Sequence, residues 1–159
     1  MTLRVSTDNL ELDIPLIHRF LSERSTWAKG ISLPIVEKAL EHSLCFGGFL
    51  GTIQVAFARV ISDYATFANL VDVFVLPEHR GKGYSKIIIT AVVAHPQLRG
   101  LRRFTLATAD AHGLYSQFGF TPLNKPQTFM ERYSPDVYTT DPQPALPADG
   151  PPATRSARR

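Results

Sequence analysis

The segment from Val73 to Lys86 (VFVLPEHRGKGYSK) has the residue types and spacing most suited to chemistry. It reads as the end of an apolar strand, a turn on Gly81 and Gly83, and the start of a helix. The first N–H groups of a helix have no partner within the helix, and the helix dipole adds partial positive charge there. Because glycines let an anion approach the backbone closely, this turn predicts a phosphate or pyrophosphate site. The cationic side chains beside it are Arg80, Lys82 and Lys86.

Two well-known phosphate-binding glycine motifs do not fit this turn. A Walker A loop would need Lys and then Ser or Thr after its last glycine, whereas Gly83 is followed by Tyr84. A dinucleotide-binding fingerprint would need a third glycine where Lys86 stands. An R/Q-x-x-G-x-G/A turn remains, with Ser85 in place of its usual final glycine or alanine.

This turn resembles that of the GNAT acetyltransferase superfamily, in which it cradles the pyrophosphate of acetyl-coenzyme A. A second stretch, Leu114–Phe120 (LYSQFGF), resembles the family's L-Y-x-x-x-G-F. The residues between the two motifs suit one helix, one strand and the start of another helix. The resemblance covers roughly residues 1–133 and implies acetyl transfer from acetyl-coenzyme A to an amine, with no metal and no covalent enzyme intermediate.

The resemblance also implies how the cofactor is held. In the family, the strand before the glycine turn bulges and opens a V against the next strand, and pantetheine pairs with its backbone. That places Val73, Phe74 and Val75 in contact with the cofactor, and one of their amides would stabilise the oxyanion of the tetrahedral intermediate. The residues implied at the pyrophosphate are Arg80, Gly81, Lys82, Gly83, Tyr84, Ser85 and Lys86.

Two positions are candidates for proton transfer. Tyr115 falls on the family's general-acid tyrosine, which would protonate the leaving thiolate; the alternative is a core tyrosine that positions its helix. Histone-type relatives place a glutamate base where this chain has Asn69, which cannot act as a base. Asp72 is the stronger remaining candidate, either as an ammonium site or water-mediated base or as a structural partner of Arg59, and strand alternation predicts that it faces away from Val71 and Val73. Glu78, His79 and His112 are weaker candidates, for which a solvated or capping role is the alternative.

The acceptor pocket is the least determined part of the site. In the family, the segment joining the first two helices walls this pocket, which makes Trp27 a candidate substrate-binding residue together with Asp72 and Phe129. Phe46 and Met130 are further candidates, and core packing is the alternative for each apolar residue. We expect transfer to a primary amine, a small molecule rather than a protein, by direct attack in a ternary complex. The alternative is a GNAT-fold protein that senses acyl-coenzyme A without turnover.

The elements that must position these residues follow from hydrophobic periodicity. They give the order β-α-α-β-β-β-α-β-α-β-β, a mixed α/β fold whose sheet is antiparallel first and parallel near the glycine turn. Residues 84–95 are rich in β-branched side chains, but their length, the preceding glycines and Pro96 favour a helix. The last two extended segments are expected at Gly119–Pro122 and Thr128–Tyr133.

Composition limits the remaining possibilities. The 159 residues predict one domain, residues 1–133, followed by a Pro-rich, flexible tail over 134–159. The net charge of +3 is modest and its basic residues are scattered, which disfavours nucleic acid. No apolar run is long enough to span a bilayer, and the first residues do not resemble a leader peptide, so we expect no membrane association. The single cysteine, Cys45, suits a buried position, and a cytoplasmic location is expected. Many relatives dimerise through the sheet edge or final strands, so a homodimer is compatible with the resemblance.

Overall fold

A computed structural model describes residues 1–139. The strands are Arg4–Ser6 (β1), Leu44–Leu50 (β2), Ile53–Ser62 (β3), Phe67–Val75 (β4) and Arg103–Leu106 (β5). The α-helices are Ile14–Arg19 (α1), Leu33–Glu41 (α2), Tyr84–Val93 (α3) and His112–Ser116 (α4). A π-helical turn, Phe20–Arg24, extends α1, and short 3₁₀ turns lie at Asn9–Glu11, Pro77–His79, Pro96–Leu98 and Pro126–Thr128. None of the helices described is long and apolar enough to cross a bilayer.

The five strands form one mixed sheet in chain order, which confirms the predicted fold class. β1 to β4 pair antiparallel, and β5 joins β4 in parallel. Helices cover both faces of the sheet because its strands are apolar on both sides. One core packs α3 and Tyr115 on the sheet, whereas the other packs α1 and α2 around Phe57 and Phe74.

The β-branched segment after the glycine turn is helical, as its length and flanking residues predict. Gly83 lies at its N-cap, and α3 ends at Val93. Its buried side chains, Ile88, Ile89 and Val92, lie on one helical face and pack against the sheet. Burial of this face outweighs the weak helix propensity of isoleucine and valine.

β4 contains a bulge at Asp72. The register with β3 shifts between Phe57 and Arg59, and Asp72 has a φ of 54°, in the left-handed region. The prediction that Asp72 faces away from Val71 is therefore wrong. Val71 is the register partner of Arg59, and the Asp72 carboxylate also bonds Arg59, so the two side chains do not lie on opposite faces.

The two predicted closing strands are absent from residues 1–139. Gly119–Pro122 and Thr128–Tyr133 make no sheet pairing, and every residue from 121 to 136 is exposed. Two prolines, Pro122 and Pro126, remove N–H donors from this stretch, and the chain then leads away from β5.

The packed chain continues beyond Tyr133. The side chain of Tyr138 packs against the core beneath α1 and α2. A Cβ at Gly30, which has a φ of 82°, would lie 2.8 Å from the Tyr138 carbonyl oxygen, so this crossing needs glycine. The rest of the predicted tail, 140–159, lies outside the described residues.

Candidate active site

The parallel pairing between β4 and β5 is short, and it ends before β4 reaches the glycine turn. It joins residues 67–70 of β4 to β5 and ends at the pair of Leu70 and Leu106. Residues 71–75 of β4 therefore have no strand beside them on that edge within the described chain. The bulge that the family resemblance implied is present, and the β4 edge beyond Leu70 is free within the described chain.

A cleft of about 570 Å³ lies beside this free edge, within the size range of cofactor sites. It brings together most of the residues that the sequence singled out. The predicted residues that line it are Trp27, Val73, Phe74, Val75, Arg80, Gly81, Gly83, Tyr84, Ser85 and Tyr115. Lys82 and Lys86 are exposed and do not line the cleft.

The glycine turn forms one wall of the cleft and presents backbone donors. Gly81 and Gly83 have φ values of 74° and 79°, and a Cβ at either would meet no atom within 4 Å. Within residues 1–139 no carbonyl accepts from the N–H groups of residues 81–86, whereas the Arg80 N–H before them donates to Pro77 and the Ile87 N–H after them donates to Gly83. Arg80 is fixed beside them because its Nε donates to the Val75 carbonyl oxygen at 3.0 Å. This wall can bind an anion.

Tyr115 forms the opposite wall, on the short helix α4. Its ring is buried and meets Phe120 edge-on, with centroids 6.0 Å apart. Burial raises the pKa of the Tyr115 phenol, so it holds its proton at neutral pH. Its hydroxyl makes no hydrogen bond within residues 1–139, which leaves a proton donor available to a bound group.

Asp72 is held by two partners at the bulge. The Trp27 indole Nε1 donates to its Oδ1 at 2.8 Å, and Arg59 Nε donates to its Oδ2 at 2.8 Å. Arg59 also donates to the Ser43 hydroxyl at 3.1 Å. The side chains of Arg59 and Asp72 are only 15% and 11% exposed. The structural ion pair with Arg59, one of the two alternatives for Asp72, is therefore present.

The remaining predicted residues lie elsewhere. Phe129 does not line the cleft; it borders a second groove, beside β5, where its ring lies 4.9 Å from the Arg103 guanidinium. Phe46 is buried in the α3 core, and Met130 is 96% exposed. The Asn69 side-chain oxygen accepts a hydrogen bond from the Thr105 hydroxyl. None of these side chains lines the cleft.

Several cleft residues were missed by the sequence reasoning, namely Phe20, Arg24, Thr26 and Leu114. Three of them could have been found by adjacency, because they lie within three residues of Trp27 or Tyr115 in sequence. Phe20 lines the cleft through a long-range contact instead, since its ring stacks on Phe74 with centroids 3.9 Å apart. His79, a weaker base candidate from the sequence, also lines the cleft, and its Nδ1 atom is buried with no hydrogen-bond partner within residues 1–139.

Cys45 takes the buried position that its strand context predicts. It is 1% exposed, and burial raises the pKa of its thiol to about 11. A thiol that keeps its proton at neutral pH is a poor nucleophile, so Cys45 belongs to the core rather than to the site.

Comparisons with known proteins agree with this geometry. The profile of the acetyltransferase (GNAT) domain matches residues 41–122. A Gibberella zeae protein named as an acetyltransferase is 32% identical over 135 residues, which cover 71% of this chain and 75% of that protein. The chain belongs to the GNAT acetyltransferase family.

Solved structures share the fold. A Xanthomonas campestris protein assigned to the GNAT family is 66% identical, with a TM-score of 0.86 over 88% of this chain and 99% of that chain. An acetyltransferase from Clostridium acetobutylicum, solved with acetyl-CoA, is 14% identical, with a TM-score of 0.61 over 83% of this chain and 96% of that chain. The second likeness shows the fold alone.

Proposed function

We propose that this protein transfers an acetyl group from acetyl-coenzyme A to a primary amine, a small molecule rather than a protein, by direct attack in a ternary complex. The observation that carries the proposal is the cleft in which the glycine turn, the free edge of β4 and the Tyr115 ring meet. Membership of the GNAT family supports acyl transfer as the reaction class.

The residues present fit acetyl-coenzyme A. The edge of residues 71–75 that faces away from β3 has no strand partner within the described chain, and its backbone groups match the amides of a pantetheine arm, which would pair with them as a further strand does. The free N–H groups of the glycine turn and the N-terminus of α3 suit the pyrophosphate, and Arg80 adds positive charge beside them. A fold relative solved with acetyl-CoA supports the same ligand.

The reaction needs few groups from the protein. The amine nitrogen attacks the thioester carbonyl carbon, a new C–N bond forms, and the C–S bond breaks. The β4 amides at residues 73–75 can donate to the oxyanion in between. The coenzyme A thiolate leaves with the electron pair of the C–S bond and takes a proton from the Tyr115 phenol, and the amine nitrogen gives its surplus proton to the resulting phenolate as the amide forms. The attacking ammonium first gives its proton to a base that we leave unassigned.

We place Asp72 as a positioning residue for Trp27 rather than as that base. Both of its carboxylate oxygens already accept hydrogen bonds, one from the Trp27 indole and one from Arg59. Trp27 is 51% exposed and lines the cleft, so its indole is available to contact the acceptor amine. The acceptor is expected to stack on this aromatic face, which a small amine can reach.

The alternative is a protein that binds acyl-coenzyme A as a sensor without turnover. The cleft and the glycine turn suit both functions equally. The unengaged phenol of Tyr115 favours the enzyme, because a sensor has no need of an acid at the leaving thiolate.

Thiol release from acetyl-coenzyme A across a panel of polyamines, amino acids, aminoglycosides and short peptides tests the proposal. Turnover with one class of small amine, and a matching mass increase of that amine, is the expected result. Binding of acetyl-coenzyme A without thiol release from any of the panel would overturn the enzyme and favour the sensor.

A further inference from the structure

The cofactor cleft has walls on both faces of the sheet. On one face, Tyr84 and Tyr115 pack against the core beneath α3, which begins at the glycine turn. On the other face, Phe20 and Phe74 belong to the core beneath α1 and α2. Because the glycine turn holds the phosphates of the cofactor on the α3 face, the wall on the other face is left for the acceptor amine.

This second wall combines aromatic surface with positive charge. It consists of Phe20, Arg24, Thr26 and Trp27, here called the acceptor wall, and Arg24 is its one charged side chain. Asp72 does not line the cleft, and both of its oxygens accept hydrogen bonds behind Trp27. Asp110, the one carboxylate that lines the cleft within residues 1–139, lies on the opposite wall, two residues before α4. The two walls therefore carry charges of opposite sign.

The Arg24 guanidinium is open to a ligand. Its only ion pair within the described chain is with Glu78, where Nη1 and Oε2 are 3.8 Å apart, which is beyond hydrogen-bond length. The two side chains are 53% and 59% exposed, and exposed pairs of this kind contribute little to stability. No hydrogen bond of the described chain engages the guanidinium, so its five N–H donors can bind an incoming anion.

The backbone of the acceptor wall is fixed before any ligand binds. Arg24 ends the π-helical turn that begins at Phe20, and the Ser25 N–H closes this turn on the Phe20 carbonyl at 2.9 Å. The Ser25 hydroxyl then accepts from the Ala28 N–H at 3.0 Å. π-helical turns are frequent at functional sites. A wall held in this way loses little freedom when it binds a ligand.

We propose that the acceptor is an amino acid, whose carboxylate binds the Arg24 guanidinium while its body lies on Trp27. The inference rests on the acetyl transfer proposed for this cleft and names the substrate class. A guanidinium holds a carboxylate by two parallel hydrogen bonds, and the acceptor replaces Glu78, which is held only loosely. A polyamine or an aminoglycoside would instead bring further positive charge against Arg24, which is unfavourable.

Pairs of acceptors that differ by one carboxylate test the substrate class. Thiol release is measured with phenylalanine against phenethylamine, and with 4-aminobutyrate against butylamine. We expect the acid of at least one pair to have a kcat/KM at least ~10-fold above that of its amine. Preference for the amine in both pairs would overturn the inference and leave acetyl transfer standing, as would a higher kcat/KM for phosphoethanolamine than for either acid. Thiol release from none of these or of the wider panel would overturn both.

Arg24→Gln tests the residue, with Arg19→Gln as the matched control. Arg19 is exposed at the end of α1 and does not line the cleft, so the control removes the same charge away from the site. Arg24→Gln is expected to raise the KM of the acid at least ~10-fold and to leave the thermal midpoint and the KM values of the amine and of acetyl-coenzyme A unchanged. Arg19→Gln should change none of them. An equal rise for acid and amine would overturn the inference, and a rise for acetyl-coenzyme A alone would make Arg24 a cofactor contact.

Binding of the acid to the protein saturated with coenzyme A provides a readout without turnover. Calorimetry should show the dissociation constant of the acid rising in Arg24→Gln by the same factor as its KM. Glu78→Gln should have the opposite effect, because it removes the carboxylate that competes for Arg24. Weaker binding of the acid to Glu78→Gln than to the unmodified protein would contradict this competition and overturn the inference.

Discussion

The Trp27 indole and the Asp72 carboxylate, 45 positions apart in the chain, are joined by a hydrogen bond of 2.8 Å. Asp72 reaches Trp27 from a bulge in β4, where its own backbone is in the left-handed region. A residue in this conformation is held there by its surroundings, and such positions cluster at functional sites. The bulge in β4 thus positions the indole that lines the cleft.

Trp27 should report cofactor binding by its fluorescence. It is the only tryptophan in the sequence, it is half exposed, and it lines the cofactor cleft. Acetyl-coenzyme A in the cleft is expected to change the polarity around the indole, and the emission intensity and wavelength should change with saturation. A fluorescence titration gives the dissociation constant, which should agree with calorimetry. Calorimetric binding without any change in emission would contradict the placement of Trp27.

Asp72→Asn should lower stability without removing a catalytic base. The substitution keeps an acceptor for Trp27 but leaves the Arg59 guanidinium, 15% exposed, without its counter-charge. Loss of one partner from such a pair is expected to lower the free energy of unfolding by roughly 3 kcal/mol, measured by urea denaturation. The acidic limb of the pH profile of kcat/KM should stay where it is.

Arg59→Gln and the pH profile together separate positioning from base catalysis at Asp72. Arg59→Gln removes the other charge of the pair, so the double variant should recover part of the stability lost in Asp72→Asn. Disappearance of the acidic limb in Asp72→Asn alone, with stability intact, would show instead that Asp72 takes the proton of the amine.

Gly83→Glu should abolish binding of acetyl-coenzyme A. The glutamate side chain would project into the open space beside the turn and bring negative charge to the pyrophosphate position. Gly100→Glu is the matched control, because Gly100 has a φ of 74°, meets no atom within 4 Å of its would-be Cβ, and does not line the cleft. Both variants carry a similar backbone strain of about 1–2 kcal/mol, so equal thermal shifts are expected. Normal calorimetric binding by Gly83→Glu would disprove the glycine-turn site.

The sequence predicted the elements whose patterns are local. The predicted element order has three consecutive strands before the glycine turn, and β2, β3 and β4 lie there. The glycine turn located the start of α3 despite six β-branched residues in that segment. The cleft residues on β4 and the glycine turn could be predicted for the same reason, because the turn and the strand before it are continuous in sequence.

The features that the sequence could not predict depend on contacts between distant segments. The partners of Asp72 lie 13 and 45 positions away, so no local pattern could decide between its two interpretations. Residues 128–133 have a strand-like composition, but a strand forms only where an edge is within reach, and the docking of Tyr138 beside Gly30 directs the chain elsewhere. Phe129 was assigned to the acceptor pocket from the family resemblance, and its ring lies beside Arg103 instead.

Tyr115→Phe should reduce kcat and leave the affinity for acetyl-coenzyme A unchanged. Phenylalanine fills the same buried position and keeps the edge contact with Phe120, so only the proton donor is lost. A positioned acid typically contributes at least ~100-fold to rate, and stopped-flow thiol release measures the loss. A parallel loss of calorimetric binding would show that Tyr115 is structural.

The pH profile provides an independent test of the same role. Burial raises the pKa of Tyr115 above the usual tyrosine value of about 10, and an acid works only while it is protonated. Activity should therefore persist on the alkaline side until the pH passes that value, and the fall beyond it should be missing in Tyr115→Phe. An alkaline limb below pH ~9 that disappears in Tyr115→Phe would mean that the phenol is not held protonated by burial.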